Sequence, residues 1–164
     1  MKISLLQQAH PAKSRRWLIS LALPLLAFSI SASAELGGDV ASVQTDQARM
    51  KATLKVTEAQ AYTVQEITSP EGTVVKEFVS PAGKVFGVAW RGHFMPDLQQ
   101  LLGTYFAQFS QAAQGQQASH RARRVLNVQE PGLVVQSAGR MRSYSGRAYV
   151  PEMIPQGVGP EVIQ

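Results

Sequence analysis

The fold is decided by residues 62–91, which read YTVQEITSPEGTVVKEFVSPAGKVFGVAWR. Two turn signals in this stretch, Ser69–Gly72 and Ser80–Gly83, begin eleven residues apart. Each has Pro second, where its fixed φ suits a turn, and then Gly where a left-handed residue is needed. The turns separate three runs that are rich in Val, Ile, Phe, Tyr and Thr, as strands are: 62–68, 73–79 and 84–90. The stretch therefore predicts a three-stranded antiparallel meander.

The third run predicts a strand at the centre of the sheet, because its residues alternate between two largely apolar faces. One face carries Phe86, Val88 and Trp90, and the other carries Val85, Gly87 and Ala89. The second set is small, which would let another element approach closely. Gly87 fits such an approach and a β-bulge equally well.

A helix is predicted after this strand, with Pro96 at its first position and Asp97 near the positive end of its dipole. Six large apolar residues follow at offsets 0, 3, 4, 7, 8 and 11, which places them on one face of a continuous helix. They are Leu98, Leu101, Leu102, Tyr105, Phe106 and Phe109. This stripe is expected to face the core, and residues 114–119 are expected to form a polar loop.

The rest of the chain predicts strands at 123–128, 133–137 and about 140–150, with a turn at Glu130–Leu133. Residues 35–38 predict a flexible start, and the stretch up to residue 60 has no firm period, so it fits an edge strand or a loop. The order β-β-β-α-β-β-β predicts an α+β domain at 35–150, an antiparallel sheet with one amphipathic helix packed on it. The segment 151–164 holds three prolines and two glycines and predicts an irregular tail.

The first 34 of the 164 residues are typical of a secretory signal. Four basic residues precede an apolar run at 17–30, and the small residues Ala32, Ser33 and Ala34 follow. We expect cleavage between Ala34 and Glu35 and a periplasmic or secreted protein. The apolar run is shorter than the roughly 20 residues of a membrane span, so no transmembrane segment is expected in the mature chain. The adjacent Arg15 and Arg16 also fit a twin-arginine signal, which leaves two export routes open.

Composition excludes several classes of site. The chain has no cysteine, so disulfides, thiolate metal sites and cysteine nucleophiles are ruled out. Its net charge of +5 comes mostly from the signal, because residues 35–164 hold 12 Lys and Arg against 11 Asp and Glu. A net charge of +1 gives no support for nucleic-acid binding.

The chain resembles an uncharacterised exported family of Gram-negative bacteria, the domain of unknown function 2844. The resemblance rests on residues 84–92, KVFGVAWRG, and residues 95–103, MPDLQQLLG, preceded by the turn at residues 80–83. It covers roughly residues 35–150 and implies an envelope or secreted location. It implies no reaction, cofactor or functional residue.

Few residues suggest chemistry. Gly-x-Ser-x-Gly is absent, and the spacing of His93 and His120 fits no metal motif, so we name no catalytic or metal-binding residue and expect no cofactor. The connection after the third strand presents Arg91, His93 and Asp97 as a candidate ligand surface. Its competing interpretation is structural, with Phe94 packed in the core and His93 in a structural loop position.

A second candidate surface is basic. Residues 118–164 carry six basic and three acidic residues, a net charge of +3, which suits an anionic partner. Besides the run at 120–124, its members are Arg140, Arg142 and Arg147, with the first two on one strand face. The competing interpretation is an ordinary solvated face.

The sequence thus predicts a non-enzymatic exported binding or accessory module whose partner is an anionic envelope component or another exported protein. The alternatives are a small periplasmic hydrolase, with a site assembled from scattered Asp, Glu, His and Arg, and a structural envelope component that acts through its sheet edge.

Overall fold

A computed structural model describes residues 35–39, 52–119 and 125–164. Within them, seven strands form one antiparallel sheet in the order β1-β2-β3-β4-β7-β6-β5. The strands are β1 Thr53–Glu58, β2 Thr63–Thr68, β3 Val74–Val79, β4 Val85–Gly92, β5 Val125–Glu130, β6 Leu133–Arg140 and β7 Ser143–Tyr149. The predicted α+β class is confirmed. The signal segment and the basic run at 120–124 lie outside the described residues.

The predicted meander is present as β2, β3 and β4, and both turn glycines have the positive φ that the turns require. These angles are +82° at Gly72 and +76° at Gly83. The strand β4 lies in the middle of the sheet, between β3 and β7, as its two apolar faces predict. The ambiguous stretch before residue 60 supplies the edge strand β1.

The two faces of β4 differ from the predicted alternation because a β-bulge interrupts the strand. Phe78 pairs with Gly87, whereas the next residue, Val79, pairs with Val85, so Phe86 is an extra residue. Val85 therefore joins Val88 and Trp90 in one core cluster. Phe86 joins Ala89 in the other.

The predicted helix is present but is not continuous. It consists of α1 (Leu98–Leu102), a 3₁₀ turn (Gly103–Tyr105) and α2 (Phe106–Ser119). The break occurs at Gly103, whose φ is +51° and whose Cβ, if it had one, would meet the Glu35 side chain. A residue with a side chain is disfavoured in that conformation. The predicted polar loop at 114–119 is helical instead, as the end of α2.

The start of the described chain closes this break and is not a loose end. The Leu36 amide donates to the Leu101 carbonyl over 3.0 Å, which supplies a donor to a carbonyl at the end of α1. Gly37 N–H donates to Val85 O over 2.8 Å, and Leu36 is only 1% exposed. The segment at 35–39 therefore joins the helices to the sheet, which corrects the expectation of a flexible start.

The helices cover one face of the sheet, called the helix face here. Its centre consists of β-strand residues with no solvent exposure, and Leu102 and Phe109 pack on them. These strand residues are Val88, Val128, Leu133, Val135 and Ala148. Of the predicted apolar stripe, Leu101 and Phe109 are also buried, and the other three members are partly buried. The face also buries Glu77, which lies opposite Gln65 and Val88 on the neighbouring strands.

The C-terminal segment, residues 151–164, covers part of the opposite face. It contains two 3₁₀ helices, Pro151–Met153 and Pro160–Val162. Ile163 is fully buried against Phe78, Phe86 and Ala89. A Cβ on Gly87 would lie 2.7 Å from Ile163 Cδ1, so the small residue allows a close approach, which is one of the two interpretations that the sequence leaves open. The segment predicted as an irregular tail is therefore packed against the sheet.

Candidate functional site

The part of this opposite face that the C-terminal segment leaves open forms a groove, called the cationic groove here. Two rows of directly opposed residues from five strands line it, and opposed residues share a face. From β3 to β5, one row is Lys76, Ala89, Arg147, Gln136 and Asn127, and the other is Val74, Arg91, Ser145, Ala138 and Val125. The groove has a volume of about 870 Å³, within the usual range of ligand pockets.

The groove is positively charged. Lys76, Arg91 and Arg147 line it, and no acidic side chain does so among the described residues. Glu66 lies directly opposite Lys76 on β2 and on the same face of the sheet, but it adjoins the groove and is not among its lining residues. Three cations on a shared wall create a local potential that attracts anions even in a protein with a net charge near zero.

Of the three cations, Arg147 has the side chain that is held by the most contacts. Its Nε donates to Gln136 Oε1 over 2.8 Å, and its Nη1 donates to the Pro160 carbonyl over 3.0 Å. The guanidinium also lies 5.9 Å from the centre of the Tyr149 ring, within cation–π range. The side chain is therefore held between the sheet and the C-terminal segment.

The other two cations differ in how they are engaged. Lys76 Nζ donates to a main-chain oxygen of Gln164 over 3.1 Å, so it too holds the C-terminal segment. Arg91 is exposed, and its side chain makes no hydrogen bond or ion pair within the described part of the chain. Its five N–H donors are therefore available to a ligand.

Of the predicted basic residues, the structure brings Arg91 and Arg147 together in the cationic groove. Arg140 is exposed at the end of β6, opposite Ser143, and does not line the groove. Arg142 lies in the two-residue turn between β6 and β7, with φ +61°. The expectation that Arg140 and Arg142 share one strand face is therefore wrong, because a turn separates them.

The other predicted residues lie outside the groove. Asp97 caps the start of α1, where its Oδ1 accepts from the amides of Gln99 and Gln100 over 2.9 and 3.2 Å. His93 is exposed in the connection that follows β4. No cluster of three or more His, Asp or Glu residues that could hold a metal occurs in the described ranges. The prediction that Phe94 is a core residue is wrong, because its side chain is 62% exposed.

Sequence reasoning missed Lys76, Gln136 and Asn127 as groove residues. A signal for Gln136 was present in the period of two: Val134, Gln136, Ala138 and Arg140 alternate with a more buried set. Lys76 could have been found in the same way, because it adjoins the buried Glu77 in a strand with apolar neighbours. Adjacent residues of a strand face opposite sides of the sheet. Because Glu77 lies on the helix face, Lys76 must lie on the opposite face.

The fold and the groove define an α+β protein with a helix-covered sheet face and a partly open cationic face. The chain belongs to the family described as "Protein of unknown function (DUF2844)", which it matches over residues 32–163. No curated protein and no solved structure matched the chain. In the described residues, no helix has the length and apolar character needed to cross a bilayer.

Proposed function

We propose that this protein is an exported, non-enzymatic binding module that holds an anionic ligand in the cationic groove. One observation carries the proposal: three basic side chains line a groove of about 870 Å³ without a single acidic one among the described lining residues. One of these cations, Arg91, has free donors, and the other two are fixed in position. Charge-assisted hydrogen bonds from such groups are about twice as strong as neutral ones.

The positions of the candidate residues favour binding over catalysis. An enzyme would draw on His93 as its general base, yet His93 is exposed in a loop and does not line the groove. Asp97, the nearest carboxylate in sequence, already serves as a helix cap. The groove residues are instead donors and cations, which hold a charged group without needing to move a proton.

Export is part of the same proposal. The signal features at 1–34 support it, and the family match begins at residue 32, close to the expected cleavage after Ala34. Glu35, the first residue after that bond, lies against Gly103. The intact mass of the exported protein should correspond to a chain that begins at Glu35. A product that retains Trp17 would contradict the signal.

Binding is tested with three fluorescein-labelled anions: hexaglutamate, hexagalacturonate and a short polyphosphate. We expect at least one to raise fluorescence anisotropy at low ionic strength and to be released by salt. Arg91→Gln should weaken that binding about tenfold or more, since a hydrogen bond to a charged group contributes about 1.5–3 kcal/mol.

Arg142→Gln is the matched control, because it removes the same charge from an exposed turn outside the groove. It should leave affinity nearly unchanged. Equal losses in the two variants would mean that the net charge of the protein, and not the groove, attracts the anion. The absence of binding to all three anions would contradict the proposed function.

A further inference from the structure

We infer that the ligand of the cationic groove is an extended acidic peptide that lies across the strands, with an acidic residue at Arg91 and an apolar residue four positions away at Val125. The inference rests on the proposed function and specifies its ligand. It is carried by the length of the groove, by the order of residues along one row, and by the contacts that the groove already makes with a peptide chain.

The length of the groove fits a short extended segment. The groove runs from β3 across β4, β7 and β6 to β5, which is four strand spacings. At about 4.8 Å per spacing, this is roughly 19 Å, or about six residues of extended chain at about 3.3 Å each. A peptide in this direction crosses the sheet and leaves the strand edges unused.

Arg91 and Val125 lie in the same row, and the distance between them determines the spacing of the acidic and the apolar residue in the peptide. Arg91 on β4 and the exposed Val125 on β5 are three strands apart, or roughly 14 Å. Residues i and i+4 of an extended chain are about 13 Å apart and point to the same side. An acidic residue and an apolar residue at this spacing would therefore reach Arg91 and Val125 together. Ser145 and Ala138 lie between them and leave room for the backbone.

The polar groups of the groove suit a ligand rich in oxygen acceptors. Gln136 Oε1 already accepts from Arg147, which leaves its amide nitrogen as a donor. The neighbouring Asn127 offers an amide that can both donate and accept, as a peptide backbone does. Together with the guanidinium of Arg91, these groups match backbone carbonyls and a carboxylate.

The groove already holds a peptide along one wall, and this favours a peptide over a polysaccharide. Ile163 and Gln164 form part of the lining. Arg147 donates to the carbonyls of Pro160 and Ile163, and Lys76 donates to a main-chain oxygen of Gln164. The two cations thus hold main-chain oxygens of the protein itself, and a second chain beside this segment would be held by the remaining donors.

The inference is tested with labelled octapeptides of Ser and Gly that carry one Glu and one Leu. In the first peptide Leu follows Glu by four positions, in the second by three, and in the third Gln replaces Glu. We expect the first to bind best, because a spacing of three sends the two side chains to opposite sides. Arg91→Gln should weaken the first peptide about tenfold and leave the third unchanged.

Val125→Ser tests the apolar anchor, since Val125 is 60% exposed and its replacement should leave the fold intact. It should weaken the Leu peptide several-fold but have no effect on a peptide with Ser in place of Leu, which is a double-mutant comparison. Equal binding of the spacings of four and three would overturn the predicted placement.

Other ligand classes are tested in parallel. Arg91-dependent binding of hexagalacturonate or of phosphatidylglycerol vesicles, with no binding of the first peptide, would overturn the peptide inference and leave the anion-binding function standing. If neither the peptides nor these anions bind, the inference and the proposed function both fall.

Discussion

The two faces of the sheet are covered to different extents, and this difference separates stability from binding. On the helix face, strand residues such as Val88, Val135 and Ala148 have no exposure beneath the helices. On the other face, the C-terminal segment covers the row around Phe86 and packs on Ala89 in the next row, whose other residues line the cationic groove together with the row that follows. The helix face and the row around Phe86 bury the apolar residues that stabilise the fold. The surface of the cationic groove can therefore carry charged side chains.

The largest effect on stability is expected from a truncation on the helix face. Leu102→Ala should lower the free energy of unfolding by about 2–5 kcal/mol, because Leu102 is fully buried and the site cannot collapse completely around the cavity. Gln99→Ala on the exposed side of α1 is the control and should cost under about 0.5 kcal/mol. Urea denaturation measures both. A small effect at Leu102 would mean that the helices do not seal this face.

The second test concerns the C-terminal segment as the partial cover of the other face. Ile163→Ala should cost about 2–4 kcal/mol, because the side chain fills the recess above Gly87 and is fully buried. Val162→Ala, at a partly buried position beside it, should cost clearly less. Equal and small effects in urea denaturation would show that the segment is not part of the folded unit.

Much of the fold is predictable because its signals are local. The turns at 69–72 and 80–83 carry Pro and Gly at defined positions, so β2, β3 and β4 follow from the sequence within one or two residues. The apolar stripe similarly predicts the helical region. The break at Gly103 is not local, because it depends on Glu35, a residue far away in sequence.

The candidate site is less predictable because its register depends on a turn without a signal. The loop Met141–Arg142 connects β6 to β7, although two-residue hairpin loops favour Asn, Asp and Gly. A prediction that does not include this turn treats residues 140–150 as one strand. It then assigns each later side chain to the wrong partner on the neighbouring strand. The grouping of Arg147 with Gln136 and Asn127 therefore needs the three-dimensional register.

The third test is a substitution in one of the turns of the meander, which determine the position of Lys76, and its expected effect is smaller. Gly72→Val should cost about 1–2 kcal/mol, because φ is +82° and a β-branched residue is strained there. No atom lies within 4 Å of the added Cβ, so backbone conformation alone determines the cost. Gly72→Asn should cost less, since Asn tolerates this region. Equal melting temperatures for Gly72→Val and the unmodified protein would contradict the turn.

The smallest effects are expected in the connection between β4 and α1, which belongs to neither face. Phe94→Ala would cost about 2–4 kcal/mol if Phe94 were a core residue. Because its side chain is 62% exposed, we expect a loss of under about 1 kcal/mol in urea denaturation. His93→Ala should likewise be nearly neutral and should not change anion binding, since His93 does not line the groove. A loss above 2 kcal/mol at Phe94 would show that this connection packs into the fold. A loss of anion binding in a stable His93→Ala protein would move the site from the groove to the connection.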